Sequence, residues 1–327
     1  MSSARRRPVW RQLVLGLLAL CAAPALAQAQ THPSRPITIM VPVPPGGILD
    51  TYSRLIGDQL QKRWGQPVIV ENKPGGGGVV ALRALKEAAP DGHTLFPGTN
   101  AFGASPQFVK EFSYNPGEDF EPLTSVVYAP YVIITNRQTP ATTLQELIAL
   151  AKAQPGKLNF AVVPNSGQQL DTLDFLRRTR AEMVVIPYQG GAVALKSLMG
   201  DETQVYFGAA LGIEKFTQTG DIKALAVTGA KRFPPLPNVP TVQEAAGITF
   251  DTGVYYNFLA PPKTPAALLD KFNRELRDIV ENTEVKKRLD DLGYQVVTSS
   301  REEMRKILSD AVKQFAVVAK ENGIEPK

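Results

Sequence analysis

Three short stretches place glycine where a β-rich run gives way to a helical one. They are Pro45-Gly46-Gly47 before a helical pattern starting near Asp50, Asn165-Ser166-Gly167 before one near Leu170, and Gln189-Gly190-Gly191 before one at Ala192. Glycine has no side chain to keep a ligand off the backbone. A helix start offers N–H groups without intrahelical partners at the positive end of the helix dipole. The combination suits an anion, most simply a carboxylate. Any tight strand-to-helix connection favours glycine, so one such junction means little; three in one chain point to a shared site. Asp50 stands at the first junction, where its carboxylate either caps backbone N–H groups or meets the ligand.

Residue types for covalent chemistry are few. His32 and His93 have no second ligand at metal spacing and no partner for a nucleophile, and His93 in Pro90-Asp91-Gly92-His93 reads as a turn residue. Ser166 lacks the nucleophile-elbow pattern. Gly76-x-Gly78-x-x-Ala81 imitates a dinucleotide fingerprint, but no acidic residue is convincingly placed ~20 positions on, and no Gly-Lys-Ser/Thr follows for a P-loop. It reads as a turn near a cleft rim. The expectation is a binder with no metal, no cofactor and no catalytic residue. An enzyme on the same scaffold is one rival, which turnover of a bound acid would reveal.

The elements that must position these loops alternate. Strands are predicted at 37–41, 68–71 and 94–97 with helices at 50–64 and 79–88 between them, the rhythm of a mostly parallel sheet covered by helices. A second series begins with a strand at 131–135. Thr143 and Glu146 form a capping-box start for the helix to Ala153, and strands at 158–163, 183–186, 204–207 and 222–227 alternate with helices at 170–178 and 192–199. Towards the C-terminus, Thr264-Pro265 reads as a helix cap before the apolar stripe Leu268, Leu269, Phe272, Leu276, Ile279 and Val280, and Ser300 with Glu303 starts the last helix. In open α/β sheets ligands bind beyond the carboxyl ends of the strands, where the glycine junctions gather. Two such units facing each other form a cleft that can close on a small anion.

The formal charge of +5 first suggests a nucleic-acid partner. Its placement argues otherwise. Arg5, Arg6, Arg7 and Arg11 precede an apolar run from Leu13 to Ala23 and the small-x-small end Ala25-Leu26-Ala27, the three parts of a secretory signal peptide expected to be cleaved after Ala27. Removing those four arginines and no acid from a chain of 36 basic and 31 acidic residues leaves it close to neutral, and the nucleic-acid reading goes with them. Cys21, the single cysteine, lies in the same segment, so the mature chain has no disulfide. A lipoprotein reading would acylate Cys21, although Leu20 before it is bulky; a twin-arginine signal is interrupted by Pro8. General export to the periplasm is the expectation, and no other segment reaches the ~20 apolar residues of a membrane span.

The stretches "VPVPPGGILD", "GQPVIVENKPGGGG", "APDGHTLFPGTN", "VIPYQGGAVALKSLMG", "LPNVPTVQEAAG" and "FLAPPKTPAALLDKFNREL" occur in one order along the chain. Together they resemble the Bug family, the TctC-like extracytoplasmic solute-binding proteins of tripartite tricarboxylate transporters. The resemblance covers nearly all of residues 33–327. It implies an α/β fold of two domains, the type II periplasmic-binding-protein or Venus-flytrap fold, with domain 1 at 31–128 plus 250–327, domain 2 at 129–249 and the signal peptide at 1–27. It implies a carboxylate held mainly by backbone groups from loops of both domains and delivered to membrane subunits of a transporter. A periplasmic sensor docking on a receptor kinase is the rival reading, which a pull-down of membrane subunits would separate.

The resemblance assigns ligand contact to four places. The first loop supplies Pro45, Gly46, Gly47, Ile48, Leu49 and Asp50, and the end of the third strand supplies Thr99, Asn100, Ala101 and Phe102. The second domain supplies Asn165, Ser166, Gly167 and Gln168, then Tyr188, Gly190, Gly191 and Ala192, with Tyr206 at a position commonly acidic in the family. Ile48 and Leu49 replace the usual small hydroxyl residues, and the second-domain loop has lost a glycine and a hydroxyl. With Phe102, Tyr188 and Tyr206 nearby, these departures predict a carboxylate with an apolar or aromatic body, over a citrate-like polyanion or an amino acid. The alternative is that Ile48 and Leu49 point into the core.

Overall fold

The computed structural model describes residues 32–110, 114–210, 212–291 and 294–326. The expected leader, its cleavage point and Cys21 lie outside the described residues. The elements below all belong to the unit Arg35–Lys327.

The predicted βα alternation forms two parallel sets. β1 (Ile37–Val41) lies between β2 (Val68–Asn72) and β3 (Thr94–Thr99), parallel to both. Two further strands follow β3, β4 (Glu121–Asn136) and then β5 (Asn159–Val162), and β5 is parallel to β6 (Val184–Pro187) and β7 (Val205–Ala209). The expectation of a mostly parallel sheet holds only within these sets. β4 and β9 (Gly253–Ala260) join them through antiparallel pairing, giving the order β2-β1-β3-β9-β4-β7-β5-β6, with β8 (Ile222–Val227) and β10 (Gln295–Val296) also on β4.

β4 exchanges partners midway. Its stretch from Glu121 to Pro130 pairs with β9, whereas Tyr131 to Thr135 pair with β7. The sequence reading starts this strand at 131, and the part it leaves out holds Pro122 and Pro130, residues that disfavour a ladder. In the fold Pro122 borders a register shift, and Pro130 sits where one partner ends and the next begins. The sequence reading assigns no strand to Gly253–Ala260, since most of it is buried and two-sided burial erases the alternation that marks a strand.

Helix ends follow local chemistry. The capping boxes at Thr143/Glu146 and Ser300/Glu303 both form. Thr264 is a correction: its hydroxyl donates to the Pro261 carbonyl at 2.8 Å, and the helix Ala266–Glu281 starts after Pro265 without a side-chain cap. That helix buries Leu269, Phe272, Leu276, Ile279 and Val280 in one core with β1, β9 and the helix Ile48–Trp64. A second core centres on Phe207, whose ring lies 5.1 Å from Phe160 and 5.4 Å from Phe175. Edge-to-face pairs of this kind add about 0.5–1.5 kcal/mol each beyond their burial. The first core holds β1 and the second holds β5, whereas Tyr188, before the third glycine loop, packs on a separate cluster with Tyr206 and Ala194.

Candidate functional site

The first loop is braced from inside. Gly46 has φ +88°, a conformation that favours glycine, and its N–H donates to Asp50 Oδ2 at 2.9 Å. Arg54 donates to both Asp50 oxygens, at 2.8 and 3.0 Å, and the Asn72 amide donates to Oδ1 at 2.9 Å. Burial would raise the Asp50 pKa, but Arg54, the Gly46 N–H and Asn72 outweigh it and hold the carboxyl at about 2. Asp50 is only 3% exposed and its oxygens are committed, so its side chain positions the loop. Asn72 also donates to the Val43 carbonyl, tying β2 to the same bend. Pro44, Pro45 and Gly46 are exposed above this frame.

The helix starts at Ile48, two residues before the sequence pattern suggests, with Gly47 as its N-cap and no side chain capping it. Leu49 therefore joins Tyr52, Ile56 and Leu60 on the buried stripe. At 5% exposure it belongs to the core, which corrects the expectation that it lines a pocket. Ile48 is half-buried against the same core.

After β3 the chain turns tightly through Asn100–Gln107. The Asn100 side chain spends both ends on β9, donating to the Gly253 carbonyl at 3.0 Å and accepting from the Tyr255 N–H at 2.9 Å. Thr99 is buried, and Phe102 packs on Gly78 and beside Phe96. Asn100 and Phe102 thus hold structure with their side chains. Ala101 is half-buried and faces the second loop set.

There the helix Gly167–Thr179 is capped by Ser166, whose hydroxyl accepts from the Gln169 N–H and donates to the Val163 carbonyl at 2.6 Å. Gln168 is 6% exposed and accepts the Val163 N–H at 2.9 Å, so it too braces its loop. Asn165 is exposed, with φ +56°. Gly167 meets Ala101 across the sheet: a Cβ on Gly167 would lie 3.2 Å from the Ala101 Cβ and 3.0 Å from Phe315. This contact brings the β3 and β5 loops together.

The last loop follows β6. Gly190 has φ +114° with open space around it, and the helix Gly191–Met199 begins there without a side-chain cap. Gly191 and Ala192 are exposed. The Tyr206 hydroxyl lies 3.0 Å from where a Gly191 Cβ would stand, and burial pushes the Tyr206 pKa up to about 12. Tyr206 is 5% exposed, and the half-buried Tyr188 donates to Glu202 at 3.4 Å.

The arrangement supplies uncapped helix starts, bare backbone and no basic side chain among the predicted contacts. Such a site can hold an anion by backbone N–H groups. Arg54 and Asn72 are the functional supports that sequence reasoning missed. Arg54 had a local signal, lying four residues after Asp50 on one helix face; Asn72 had none, since only strand pairing brings it to Asp50. Among the described residues no group of three His, Cys, Asp or Glu converges as a metal site, and no helix is long and apolar enough to cross a membrane.

Comparison with known proteins places the chain in a family. The TctC profile, described as tripartite tricarboxylate transporter family receptor, matches residues 52–324. Protein BugT of Bordetella pertussis (strain Tohama I) is 31% identical over 96% of this chain and 98% of its own length. Among solved structures, R. palustris Rpa4515 with adipate is 28% identical with a TM-score of 0.78, covering 90% of this chain and all of the other. MatC from Rhodopseudomonas palustris with bound malate is 27% identical with a TM-score of 0.74, covering 88% and 99%. The chain belongs to the TctC receptor family of the tripartite tricarboxylate transporters, the Bug-type binding proteins, and has their two-domain α/β periplasmic-binding-protein fold.

Proposed function

We propose that this protein is a periplasmic solute-binding receptor that captures a small organic carboxylate between its two domains and delivers it to the membrane subunits of a tripartite transporter. The observation that carries the reading is the glycine-bearing helix starts at Gly47 and Gly190, both without side-chain caps, in a chain whose family is one of solute receptors. Adipate and malate in the two related structures are carboxylates of the expected size. We place the domain division near residues 128 and 250. The partner exchange of β4 after Pro130 and the start of β9 at Gly253 support it.

The ligand we infer carries one or two carboxylates on an apolar or aromatic body. Leu49 no longer contributes, and Tyr206 is nearly buried, so the support comes from Ile48, Ala101, Tyr188 and Ala192. No Lys, Arg or His stands among the contacts to offset a trianion. No observation favours catalysis. A thermal-shift screen against mono-, di- and tricarboxylates, aromatic acids and amino acids tests this, with denaturation and mass spectrometry of a separate sample to show any co-purified ligand. A ligand at ~100 times its Kd adds about 2.7 kcal/mol. Stabilisation by aliphatic dicarboxylates or aromatic acids is expected. Stabilisation by citrate alone would refute the apolar body, and none by any carboxylate would refute the receptor reading.

A further inference from the structure

A cavity of about 180 Å³, lined by no residue of the Gly47 or Gly190 helix starts, lies where β4 and β9 part company. Its wall is built from Tyr128 on β4, the segment Asp251–Tyr255 leading into β9, Asp171 on the helix Gly167–Thr179, and Asp310 and Gln314 on the C-terminal helix Arg301–Glu321. Three carboxylates and two tyrosines face it, and no Lys, Arg or His lines it. The rings of Tyr128 and Tyr255 lie 4.6 Å apart, offering aromatic faces beside the acids.

Two of the acids are already engaged. Asp251 accepts the Ala230 N–H at 3.0 Å, and Asp310 pairs with Lys306 on an exposed face. Asp171 is engaged by Thr252 but keeps one oxygen free: it is 3% exposed, and its Oδ1 has no hydrogen-bond partner. A buried carboxyl oxygen without a partner carries a desolvation penalty that a bound donor would relieve. The nearest basic side chains on its helix, Arg177 and Arg178, are both committed to Asp174. Among the described residues no group of three acids converges as a metal site, and an organic cation is the group that carboxylates and tyrosine faces together recognise.

We propose that this cavity is a second binding site, for a small organic ammonium ion, with Asp171 as its counter-charge and Tyr128 and Tyr255 as its aromatic wall. The site does not rest on the carboxylate reading: of that ligand's expected contacts only Asn100 lines it, and the Asn100 side chain is spent on β9.

The test uses the purified full chain without any carboxylate, titrated with trimethylammonium chloride and, separately, with tert-butanol as an uncharged probe of similar shape. Sodium chloride at matched concentration is the blank. Protein-observed NMR follows the backbone amides of residues 128 and 251–255. Saturable shifts with trimethylammonium at millimolar concentration, and none with tert-butanol, are expected. Asp171→Asn should weaken binding at least about tenfold, the range for losing a charged hydrogen-bond partner. Absence of saturable binding, equal response to both probes, or full binding by Asp171→Asn would overturn the proposal. If that variant fails to fold, the comparison of the two probes on the unaltered chain still decides.

Discussion

The carboxylate of Asp50 accepts the backbone N–H of Gly46 at 2.9 Å, reaching back from the first turn of a helix to the bend before its N-cap. An acid at a helix start in a binding loop invites assignment as a ligand contact. Here its oxygens are occupied by protein donors, and it shapes the loop from within.

Replacing Asp50 therefore acts first on stability. Asp50→Ala leaves the Gly46 N–H without its acceptor and the Asn72 amide with only the Val43 carbonyl, and should cost about 1–3 kcal/mol in chemical denaturation. Arg54 is half exposed, so its lost ion pair contributes little of this. The folded pKa of about 2 lies below the ordinary 3.8, so the stabilisation is present above pH 4 and is lost as pH falls towards 2. Unchanged stability with abolished binding would move Asp50 into the ligand's contacts.

Gly47 offers a cleaner probe of the site. Its φ of −74° suits any residue, and an added Cβ would meet only Val43 at 3.3 Å nearby in side-chain space. Gly47→Ala should keep stability within about 1 kcal/mol, and Gly47→Val should weaken carboxylate binding by at least about tenfold by filling the approach to the backbone. Gly190→Val should weaken binding too, with a further backbone cost of about 1–3 kcal/mol from its φ of +114°. Calorimetric titration against the screened ligand checks both; full affinity in either variant removes that loop from the site.

Gly253 is required by packing. A Cβ there would lie 2.6 Å from the Tyr128 hydroxyl and 2.7 Å from its ring, against a side chain that also donates to the Thr252 carbonyl. Gly253→Ala should cost at least about 2 kcal/mol, and Gly253→Ala with Tyr128→Ala should cost less than the sum of the single changes. Additive losses in a double-mutant cycle would show that the strand relaxes around the methyl group.

Asp171 should make stability fall with rising pH. Burial raises its pKa to about 7, with Asp174 adding to the rise and Thr252 opposing it. The facing titratable groups are Asp174 on its own helix, Tyr128 and Tyr131 on β4, Asp251 before β9 and Asp310 on the C-terminal helix. The unfolded chain releases this proton near pH 3.8 and the folded chain near 7. The contribution is greatest below pH 4 and declines between 4 and 7, with a slope approaching ~1.4 kcal/mol per pH unit. Asp171→Asn should flatten that decline in denaturation measured from pH 4 to 8; an unchanged slope would assign it to other groups.

Much of the site's frame was legible before the fold was known. The glycine junctions at 46–47 and 190–191, the capping boxes at Thr143 and Ser300, and the stripe from Leu269 to Val280 all depend on residues within a few positions of one another. Motif order carried the family, and the family carried the two-domain fold. The roles of single side chains were not legible in this way. Leu49 was expected in a pocket and lies in the core; Asn100 and Gln168 were expected to face a ligand and instead satisfy backbone groups.

Sequence by itself determined where the glycine-bearing turns fall, where the helices after them begin to within about three residues, and which loops lack side chains, because backbone dihedral preference, capping and periodicity are local properties. Tertiary structure decided that β4 changes partners at Pro130, that Asn72 reaches Asp50, that Gly167 meets Ala101, and that Asp171 is buried with one oxygen unpartnered. Each of these depends on segments distant in the chain arriving at one point. Burial and hydrogen-bond partnership, which set a side chain's pKa and its freedom to meet a ligand, exist only once they have arrived.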